Sequence, residues 1–366
     1  MGNLKSNLKS KNSYFLSLAF EQAKVNLGCT GVNPSVGCIV EKNGSVISSG
    51  RTSLKGRPHA EFNALKKKVN FKDSNIYITL EPCSHYGLTP PCTNKIIQKK
   101  IKKVFFSVFD EDLRSKKLSV KKFKKRKMVV KSGIKSKYGL LFYNSYFRKK
   151  KNFLPYLDAK IAISKDYFTK SKRSKWITNE HSRKRAHLLR TNYDCILSTS
   201  KSINEDNSEL NCRIDGLEKK SPSIAIIDRN FRLKKNIKLI KNRGGRKIYL
   251  FTSTSNKRKE KYLKRKGIKV IKIKKMKTYK DFKEILFKLS NFGFSRILLE
   301  TGLCFLNFFL LGKIVQNLHI FKTNISLKKN GINNTTSSLI KNIKLKKKVK
   351  VNLFGDSLYR VNLNNV

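Results

Sequence analysis

Residues 79–92 read TLEPCSHYGLTPPC, and the upstream triplet His59-Ala60-Glu61 stands at the start of a helix-like run. Cys83 and Cys92 follow a strand-like apolar run that ends at Leu80. Imidazole nitrogen and thiolate sulfur are preferred ligands of Zn²⁺, and a hydrolytic zinc site uses three protein ligands and leaves one position open for water. The pattern therefore predicts that His59, Cys83 and Cys92 hold a catalytic zinc ion.

A carboxylate follows the predicted ligand His59 by two residues. Hydrolytic deamination needs such a group, because protons must move from water to a ring nitrogen and to the leaving amine. Glu61 is therefore the predicted catalytic residue. A structural zinc site is the alternative, and His85 is then the candidate for a fourth protein ligand.

The segment Asn33-Pro34-Ser35-Val36-Gly37 precedes the first strand-like run. A side-chain amide at this position could hydrogen-bond a ring or ribose group, and Gly37 would permit a close approach. Asn33 is therefore a predicted substrate-binding residue, although an Asn-Pro pair alone is also typical of a plain turn.

These motifs resemble those of the bifunctional riboflavin-biosynthesis deaminase–reductases, within the cytidine-deaminase-like superfamily. The long loop between Cys83 and Cys92 distinguishes this family from cytidine, guanine and tRNA-adenosine deaminases, which resemble the shorter spacing. The resemblance implies an α/β fold in which an N-terminal three-layer α/β/α deaminase domain precedes an α/β domain similar to dihydrofolate reductase. The basic run that starts at Arg148 suggests domains at residues 1–147 and 148–366.

The resemblance continues through the second half, at residues 157–164, 174–178, 226–228 and 298–302. For the reductase it implies substrate binding by Ser174, Arg190, Leu210, Arg213 and Glu300. It implies cofactor binding by Ile163, Trp176, Ser202, Asp206 and Gly302. As residue types, the two arginines are candidate bidentate clamps for anions.

Three segments depart from the family pattern. Lys165-Asp166-Tyr167 stands where Leu-Asp-Gly is expected, and Glu205-Asp206-Asn207 stands where the family usually shows two Asp and a Pro. Thr301 replaces a Gly and adds a Cβ where backbone should lie close to a cofactor phosphate. A deaminase with a degenerate reductase half is therefore an open alternative.

The function that the resemblance implies is two consecutive steps of riboflavin synthesis. A zinc-dependent hydrolytic deamination would convert 2,5-diamino-6-ribosylamino-pyrimidinone 5′-phosphate to the uracil. An NADPH-dependent reduction would then turn the ribosyl group into a ribityl chain. The expected partner is thus a small phosphorylated pyrimidine, with Zn²⁺ and NADPH as cofactors.

The charge of the chain is extreme, since 83 Lys and Arg against 23 Asp and Glu give a net charge of +60. One interpretation is nucleic-acid binding through phosphate neutralisation. The other is a biased base composition, because the lysines are spread along the whole chain. A nucleic-acid-modifying deaminase and a basic binding protein with structural zinc are the rival functions, but we expect no specific nucleic-acid partner.

Seven cysteines, an odd number, in a chain of 366 residues without a recognisable secretion signal indicate reduced thiols and a cytoplasmic location. No apolar run reaches the roughly 20 residues that a membrane-spanning helix needs. We therefore expect no membrane partner, and a homo-oligomer is left open.

Alternating apolar periodicities predict an α/β layer structure in both halves. The turn at Asn43-Gly44 predicts a hairpin. The basic run Lys121 to Lys127 is expected to cross the surface. Predicted strands of the second half begin at Tyr156, Cys195, Ile224, Lys247, Ile268, Arg296 and Leu318.

Overall fold

The computed structural model describes residues 2–335, 339–345 and 348–363. The chain divides into two compact units that meet between Phe153 and Leu154. The boundary drawn from the sequence at 147/148 falls inside the helix Asn144–Asn152, because the basic run from Arg148 continues that helix. The first unit therefore extends a few residues further than the sequence suggested.

The first unit is an α/β structure with one five-stranded sheet. Its strands are β1 (Gly37–Lys42), β2 (Ser45–Arg51), β3 (Asn75–Leu80), β4 (Lys103–Val108) and β5 (Val129–Lys131). Its helices are α1 (Gly2–Val25), α2 (Ala60–Leu65), α3 (Cys92–Gln98), α4 (Leu118–Lys125), α5 (Ser136–Phe142) and α6 (Asn144–Asn152). The strand order is β2-β1-β3-β4-β5, with β1 antiparallel to both neighbours and β3, β4 and β5 parallel.

Helix α1 lies directly on β1, and Gly37 makes this approach possible. A Cβ added to Gly37 would stand 1.8 Å from the carbonyl oxygen of Ala19, which is far inside van der Waals contact. Leu16, Ala19 and Phe20 on the same helix are buried in the core of the unit. Gly37 thus lets the start of β1 lie against α1. Asn33 lies in the loop that precedes this strand.

The predicted hairpin is confirmed, since β1 and β2 pair antiparallel and both turn residues, Asn43 and Gly44, have positive φ. The run Lys121 to Lys127, expected to cross the surface, is mostly exposed and has regular structure for much of its length. Most of that run belongs to helix α4, because Phe123 is fully buried while the lysines around it face outward or lie at the surface. Because the segment consists mostly of lysine, nothing in the sequence indicated that Phe123 would pack into the core and hold this helix.

The second unit contains an eight-stranded sheet and a separate two-stranded sheet. Its strands are β6 (Tyr156–Ile163), β7 (Phe168–Ser171), β8 (Cys195–Thr199), β9 (Ser223–Ile227), β10 (Ile248–Thr252), β11 (Ile268–Lys272), β12 (Arg296–Leu299), β13 (Asn317–Lys322), β14 (Gly331–Asn334) and β15 (Ser357–Asn362). Its helices are α7 (Glu180–Arg190), α8 (Ser200–Asp206), α9 (Lys238–Lys241), α10 (Lys257–Arg265), α11 (Tyr279–Asn291), α12 (Leu303–Leu311) and α13 (Leu339–Asn342). All the strands predicted for this half are present.

The order of the large sheet is β11-β10-β9-β8-β12-β6-β13-β15, and β15 alone is antiparallel to its neighbour. From β8 the chain proceeds outward through β9, β10 and β11, whereas β12 leads back across β6 to β13. The carboxyl ends of β8 and β12 therefore flank a topological switch point. Open α/β sheets bind ligands in the crevice at such a point.

None of the helices in the described ranges is long and apolar enough to cross a membrane. The most apolar one, α12, is only 9 residues long and packs against the sheet through Leu306 and Phe309.

Candidate active sites

The three predicted metal ligands meet at one edge of the first sheet. His59 precedes α2, Cys83 follows β3, and Cys92 is the first residue of α3. Their ligand atoms all lie within 4.8 Å of one another. Nδ1 of His59 is 3.7 Å from Sγ of Cys83 and 3.5 Å from Sγ of Cys92.

These separations fit a zinc ion. With Zn–S near 2.3 Å and Zn–N near 2.0 Å, tetrahedral geometry requires an N to S distance of about 3.6 Å. Both measured distances lie close to that value. One nitrogen and two sulfurs suit Zn²⁺ and leave one coordination position for water.

His85 does not join the cluster. Its Nδ1 lies 2.9 Å from the hydroxyl of Ser115 instead. Within the described ranges, the metal-ligand group has three members, His59, Cys83 and Cys92. The geometry therefore favours an open hydrolytic site over a closed structural one.

Glu61 lies in the first turn of α2 and is buried, with 4% of its surface exposed. Burial raises the pKa of its carboxyl to about 7, and the nearby Cys83 sulfur adds to this shift. The carboxyl also forms a hydrogen bond with Cys92. A buried carboxyl with this pKa beside the ligand cluster can both accept and release a proton near neutral pH.

The two thiols differ because they share one proton. A hydrogen bond from Cys92 lowers the pKa of Cys83 to about 4, against the effect of burial and with help from His59. The same hydrogen bond, followed by burial, raises the pKa of Cys92. Cys83 is thus a thiolate at neutral pH, which is the form that ligates metal.

Asn33 lies in the loop before β1, where its amide nitrogen donates to the carbonyl oxygen of Gly56 at 3.0 Å. This bond ties the loop to the segment that leads into His59. The structure therefore brings Asn33 into the neighbourhood of the ligand segment, with its donor already engaged.

Sequence reasoning missed a buttress behind this loop. Tyr143, from the junction of α5 and α6, shares a 2.5 Å hydrogen bond with Thr79 and donates to the carbonyl oxygen of Ser35 at 3.2 Å. Thr79 also accepts from the backbone N–H of Gly37 at 3.0 Å. Because 64 positions separate Tyr143 from Thr79, no local pattern could have revealed this contact.

In the second unit, Arg190 and Glu300 form a bidentate ion pair. Nε and Nη2 of the arginine donate to the two carboxylate oxygens at 2.7 and 3.0 Å, and Nη1 donates to the carbonyl oxygen of Asn211 at 2.8 Å. Burial opposes ionisation of Glu300, but the charge of Arg190 lowers its pKa to about 2. The clamp expected from Arg190 is thus made on Glu300.

Ser202 and Gly302 meet at the switch point of the large sheet. The backbone N–H of Gly302, just before α12, donates to the hydroxyl of Ser202 on α8 at 3.1 Å. Thr199 caps α8 and donates to the same hydroxyl at 3.0 Å. Two predicted cofactor residues from distant segments are therefore in contact.

The side chain of Leu210 is buried in the core of the second unit. Its backbone has a φ of 50°. Arg213 is about half exposed and bonds Glu209 at 3.4 Å. Two residues that the sequence analysis missed hold the loop between them. Nδ1 of His187 donates to Asn211 at 2.8 Å, and Arg246 donates to the carbonyl oxygen of Leu210 at 3.1 Å.

The remaining predicted residues lie around the same sheet edge or in nearby loops. Ile163 ends β6 and is fully buried, so its backbone is what a ligand can meet. The hydroxyl of Ser174 donates to the carbonyl oxygen of Trp176 at 2.9 Å. Trp176 is 51% exposed, which excludes the role of core anchor. Asp206 is the last residue of α8, and its carboxylate lies 3.6 Å from the ammonium group of Lys170.

Two of the sequence departures have a conformational counterpart. Tyr167, where the family pattern has Gly, adopts a φ of 69°, the left-handed region that Gly favours. Asn207, where the pattern has Pro, has a φ of 45°, which a proline ring cannot adopt. The end of α8 is therefore built differently from the pattern.

Lys160 on β6 is a further residue that the sequence analysis did not single out. Its ammonium group lies 5.7 Å from the ring centre of Phe321 and has no hydrogen-bond partner in the part of the chain described. Burial lowers its pKa, while the charge of Glu300 raises it. The ammonium group of Lys160 therefore lies near the Arg190–Glu300 pair without a hydrogen-bond partner of its own among the described residues.

Comparisons with known proteins cover both units. The family described as the cytidine and deoxycytidylate deaminase zinc-binding region matches residues 9–108, and the family described as the RibD C-terminal domain matches residues 155–346. The chain is 32% identical to the riboflavin biosynthesis protein RibD of Aquifex aeolicus, over 79% of this chain and 80% of that protein. It is 30% identical to RibD of Actinobacillus pleuropneumoniae, over 84% and 82%.

A solved structure gives the same result. The diaminohydroxyphosphoribosylaminopyrimidine deaminase/5-amino-6-(5-phosphoribosylamino)uracil reductase of Thermotoga maritima superimposes with a TM-score of 0.82 and 25% identity. The superposition covers 97% of this chain and 99% of that one. The similarity therefore spans the deaminase-like and the reductase-like unit together.

Proposed function

The chain belongs to the RibD family of bifunctional deaminase–reductases of riboflavin biosynthesis, and from this premise we propose which of its residues carry the two reactions. It is a zinc-dependent pyrimidine deaminase and an NADPH-dependent reductase. It deaminates 2,5-diamino-6-ribosylamino-pyrimidinone 5′-phosphate and then reduces the ribosyl group to ribityl. A nucleic-acid-modifying deaminase and a deaminase without a working reductase are not favoured.

In the proposed deaminase site, His59, Cys83 and Cys92 hold Zn²⁺. When bound, the ion lowers the pKa of a water molecule to near 7. The observation that carries the proposal is the convergence of one imidazole nitrogen and two sulfurs within 4.8 Å, beside the buried carboxyl of Glu61.

Glu61 does the proton work in this proposal. Water must lose a proton as its oxygen attacks the ring carbon that carries the amino group, and Glu61 accepts it. The carboxyl passes this proton to the ring nitrogen. It then takes a second proton from the hydroxyl now on the ring carbon and passes it to the amino group, which leaves as ammonia as the carbonyl forms. The loop of Asn33, held by Gly56 and backed by Tyr143, orients the ring.

NADPH fits the switch point between β8 and β12. The hydroxyl of Ser202, the exposed start of α12 at Gly302 and the end of β8 line this crevice. The N-terminus of α12 offers backbone N–H groups and a positive dipole end to a cofactor phosphate. NADPH, when bound, supplies the hydride for the reduction.

The end of the adjacent strand β9 supports the phosphorylated form of the cofactor. In dinucleotide folds an acidic residue near this place reads the ribose hydroxyl, whereas an arginine accommodates a 2′-phosphate. Asp228 is poorly placed to bind a ribose hydroxyl, because it is buried and its oxygens already accept from Ser200, Arg232 and Leu233. The next residue, Arg229, is exposed.

The reduction also needs proton donors and a held substrate. Lys160, with no hydrogen-bond partner in the described residues, is the proposed proton source beside the ribosyl group. The ion pair of Arg190 and Glu300, held by two hydrogen bonds, is the proposed wall of the site, the rigid surface to which the ribosyl hydroxyls bind. Ser174, Leu210 and Arg213 complete the proposed substrate contacts, and Ile163, Trp176 and Asp206 the cofactor contacts.

The finer features of the setting are also proposals. A cytoplasmic location is consistent with thiolate ligands, which oxidation would destroy. We also propose no specific nucleic-acid or membrane partner. A homo-oligomer stays open within this proposal.

The test is to follow ammonia release and NADPH absorbance separately with the diaminopyrimidine phosphate as substrate. Glu61→Gln should reduce ammonia release by roughly 10²- to 10⁴-fold and retain zinc, whereas Cys83→Ala should lose both zinc and activity. Glu21→Gln, at an exposed residue of α1, is the control. Full deaminase activity in Glu61→Gln would refute the assignment.

A further inference from the structure

Arg57 stands between the two segments that carry the predicted metal ligands. It precedes His59 by two residues, and its Nη1 donates to the hydroxyl of Thr89, three residues before Cys92, at 2.6 Å. Its Nη2 lies 3.6 Å from where a Cβ on Gly87 would stand. The guanidinium is therefore held against the loop that joins Cys83 to Cys92.

This loop forms an exposed rim. Residues 86–90 are all exposed, with Tyr86 at 74% and Leu88 at 87% of their surface. When the pyrimidine ring reaches Glu61 with its amino group, the phosphate at the far end of the ribose must remain toward solvent. A cation at the rim is thus where such a phosphate would arrive.

Three other cations around the loop already have partners. Arg114 pairs with Asp112 at 2.6 Å, Lys116 pairs with Glu111 at 3.1 Å, and Lys122 donates to the carbonyl oxygen of Ser84. Arg57 forms no ion pair with any described residue and bonds only a neutral hydroxyl. Its remaining N–H groups match a phosphate, which arginine binds in a bidentate manner.

Resting on the proposed deaminase function, we propose that Arg57 is a specificity-determining residue that receives the 5′-phosphate of the pyrimidine substrate. Thr89 orients the guanidinium for this contact. The site selects phosphorylated over unphosphorylated ribosylaminopyrimidine through a single fixed cation at its rim.

The experiment compares kcat/KM for deamination of the phosphorylated substrate and of the same compound without phosphate. Arg57→Gln should lower kcat/KM for the phosphorylated compound by about 10- to 100-fold, and leave the unphosphorylated one unchanged. Arg57→Lys, which keeps the charge but loses the fork, should recover part of the loss. Arg51→Gln is the matched control, because Arg51 bonds the neutral side chain of Gln22 in the same unit.

Equal losses on both compounds would reduce Arg57 to a clamp of the loop and overturn the proposal. The absence of any loss, or a wild-type enzyme that does not prefer the phosphorylated compound, would overturn it as well. If the zinc-loaded wild type deaminates neither compound, the proposed function itself fails, and that outcome is distinct from the others. Zinc content and the thermal midpoint of each variant show whether the site and the fold are retained.

Discussion

The two sites of this chain are built in different ways. The candidate deaminase site draws its predicted ligands from residues 59–92, and their side chains are close enough together to hold one metal ion. The candidate reductase site draws on residues 160–302, and two of its predicted residues, Arg190 and Glu300, form an ion pair with each other. A site contained in one short segment is held by neighbouring backbone, whereas the second site depends on the order of a whole sheet.

The largest effect should come from Gly37→Ala, which tests whether the units fold independently. The new Cβ would lie 1.8 Å from the carbonyl oxygen of Ala19, so α1 must move away from β1. We expect a loss of about 3 kcal/mol or more in the stability of the first unit, with deaminase activity lost and reductase activity retained.

Gly44→Ala is the control for Gly37→Ala. Gly44 has a φ of 89° but no atom within 4 Å of an added Cβ, so only backbone strain of about 1 kcal/mol is expected. Urea unfolding followed by both activities measures these effects. Parallel loss of both activities in Gly37→Ala would show that the units are not independent.

Breaking the buried ion pair should have an effect of similar size, now in the second unit. Glu300→Leu leaves the guanidinium of Arg190 buried without its counter-charge, and we expect a loss of about 3–5 kcal/mol in stability. The double variant Arg190→Met with Glu300→Leu should recover most of this stability without recovering reductase activity. Deaminase activity is the internal control, and a double variant that still reduces substrate would contradict the proposed wall.

The structure brings together all the residues predicted for the metal site of the first unit, but fewer of those predicted for the second site. His59, Cys83, Cys92 and Glu61 were found because metal chemistry restricts residue type and spacing, and the structure brings all four together. Tyr143 could not be predicted, because its hydrogen-bond partner Thr79 is 64 positions away in the sequence. In a chain of this charge, no local pattern separates an engaged lysine or arginine from a solvated one.

The second unit illustrates the same limit. Its strands follow from apolar runs, and the resemblance indicated Arg190 and Glu300, but not that they would bind each other. Nothing in the sequence around Lys160 marks it as close to that pair, whereas His187 stands one helical turn before Arg190 on α7. Pairing partners across a parallel sheet depend on strand order, which apolar periodicity does not contain.

A smaller effect concerns pH and the loop that carries Leu210. Burial, and then the charge of Arg190, lowers the pKa of His187 from 6.5 to about 4. The unfolded chain therefore binds a proton at higher pH than the folded one, so the stability of the second unit should fall as pH drops from 6.5 to 4. His187→Asn should flatten this part of the pH dependence, as measured by urea unfolding at several pH values. An unchanged slope would contradict the buried, neutral state of this imidazole.

The smallest effect is expected at Thr301, and it decides how far the reductase half departs from its family. If the Cβ of Thr301 stands against a cofactor phosphate at the start of α12, Thr301→Gly should bind NADPH more tightly. The added chain entropy of Gly opposes the gain, so we expect at most about a 5-fold decrease in Kd, measured by calorimetry. The deaminase activity of the same variant is the control.

Weaker binding in Thr301→Gly would mean that the threonine hydroxyl, 3.3 Å from the carbonyl oxygen of Gly302, holds this turn in its binding conformation. The departure would then be an adaptation of this chain, and a side chain would hold the turn where the family pattern has a glycine.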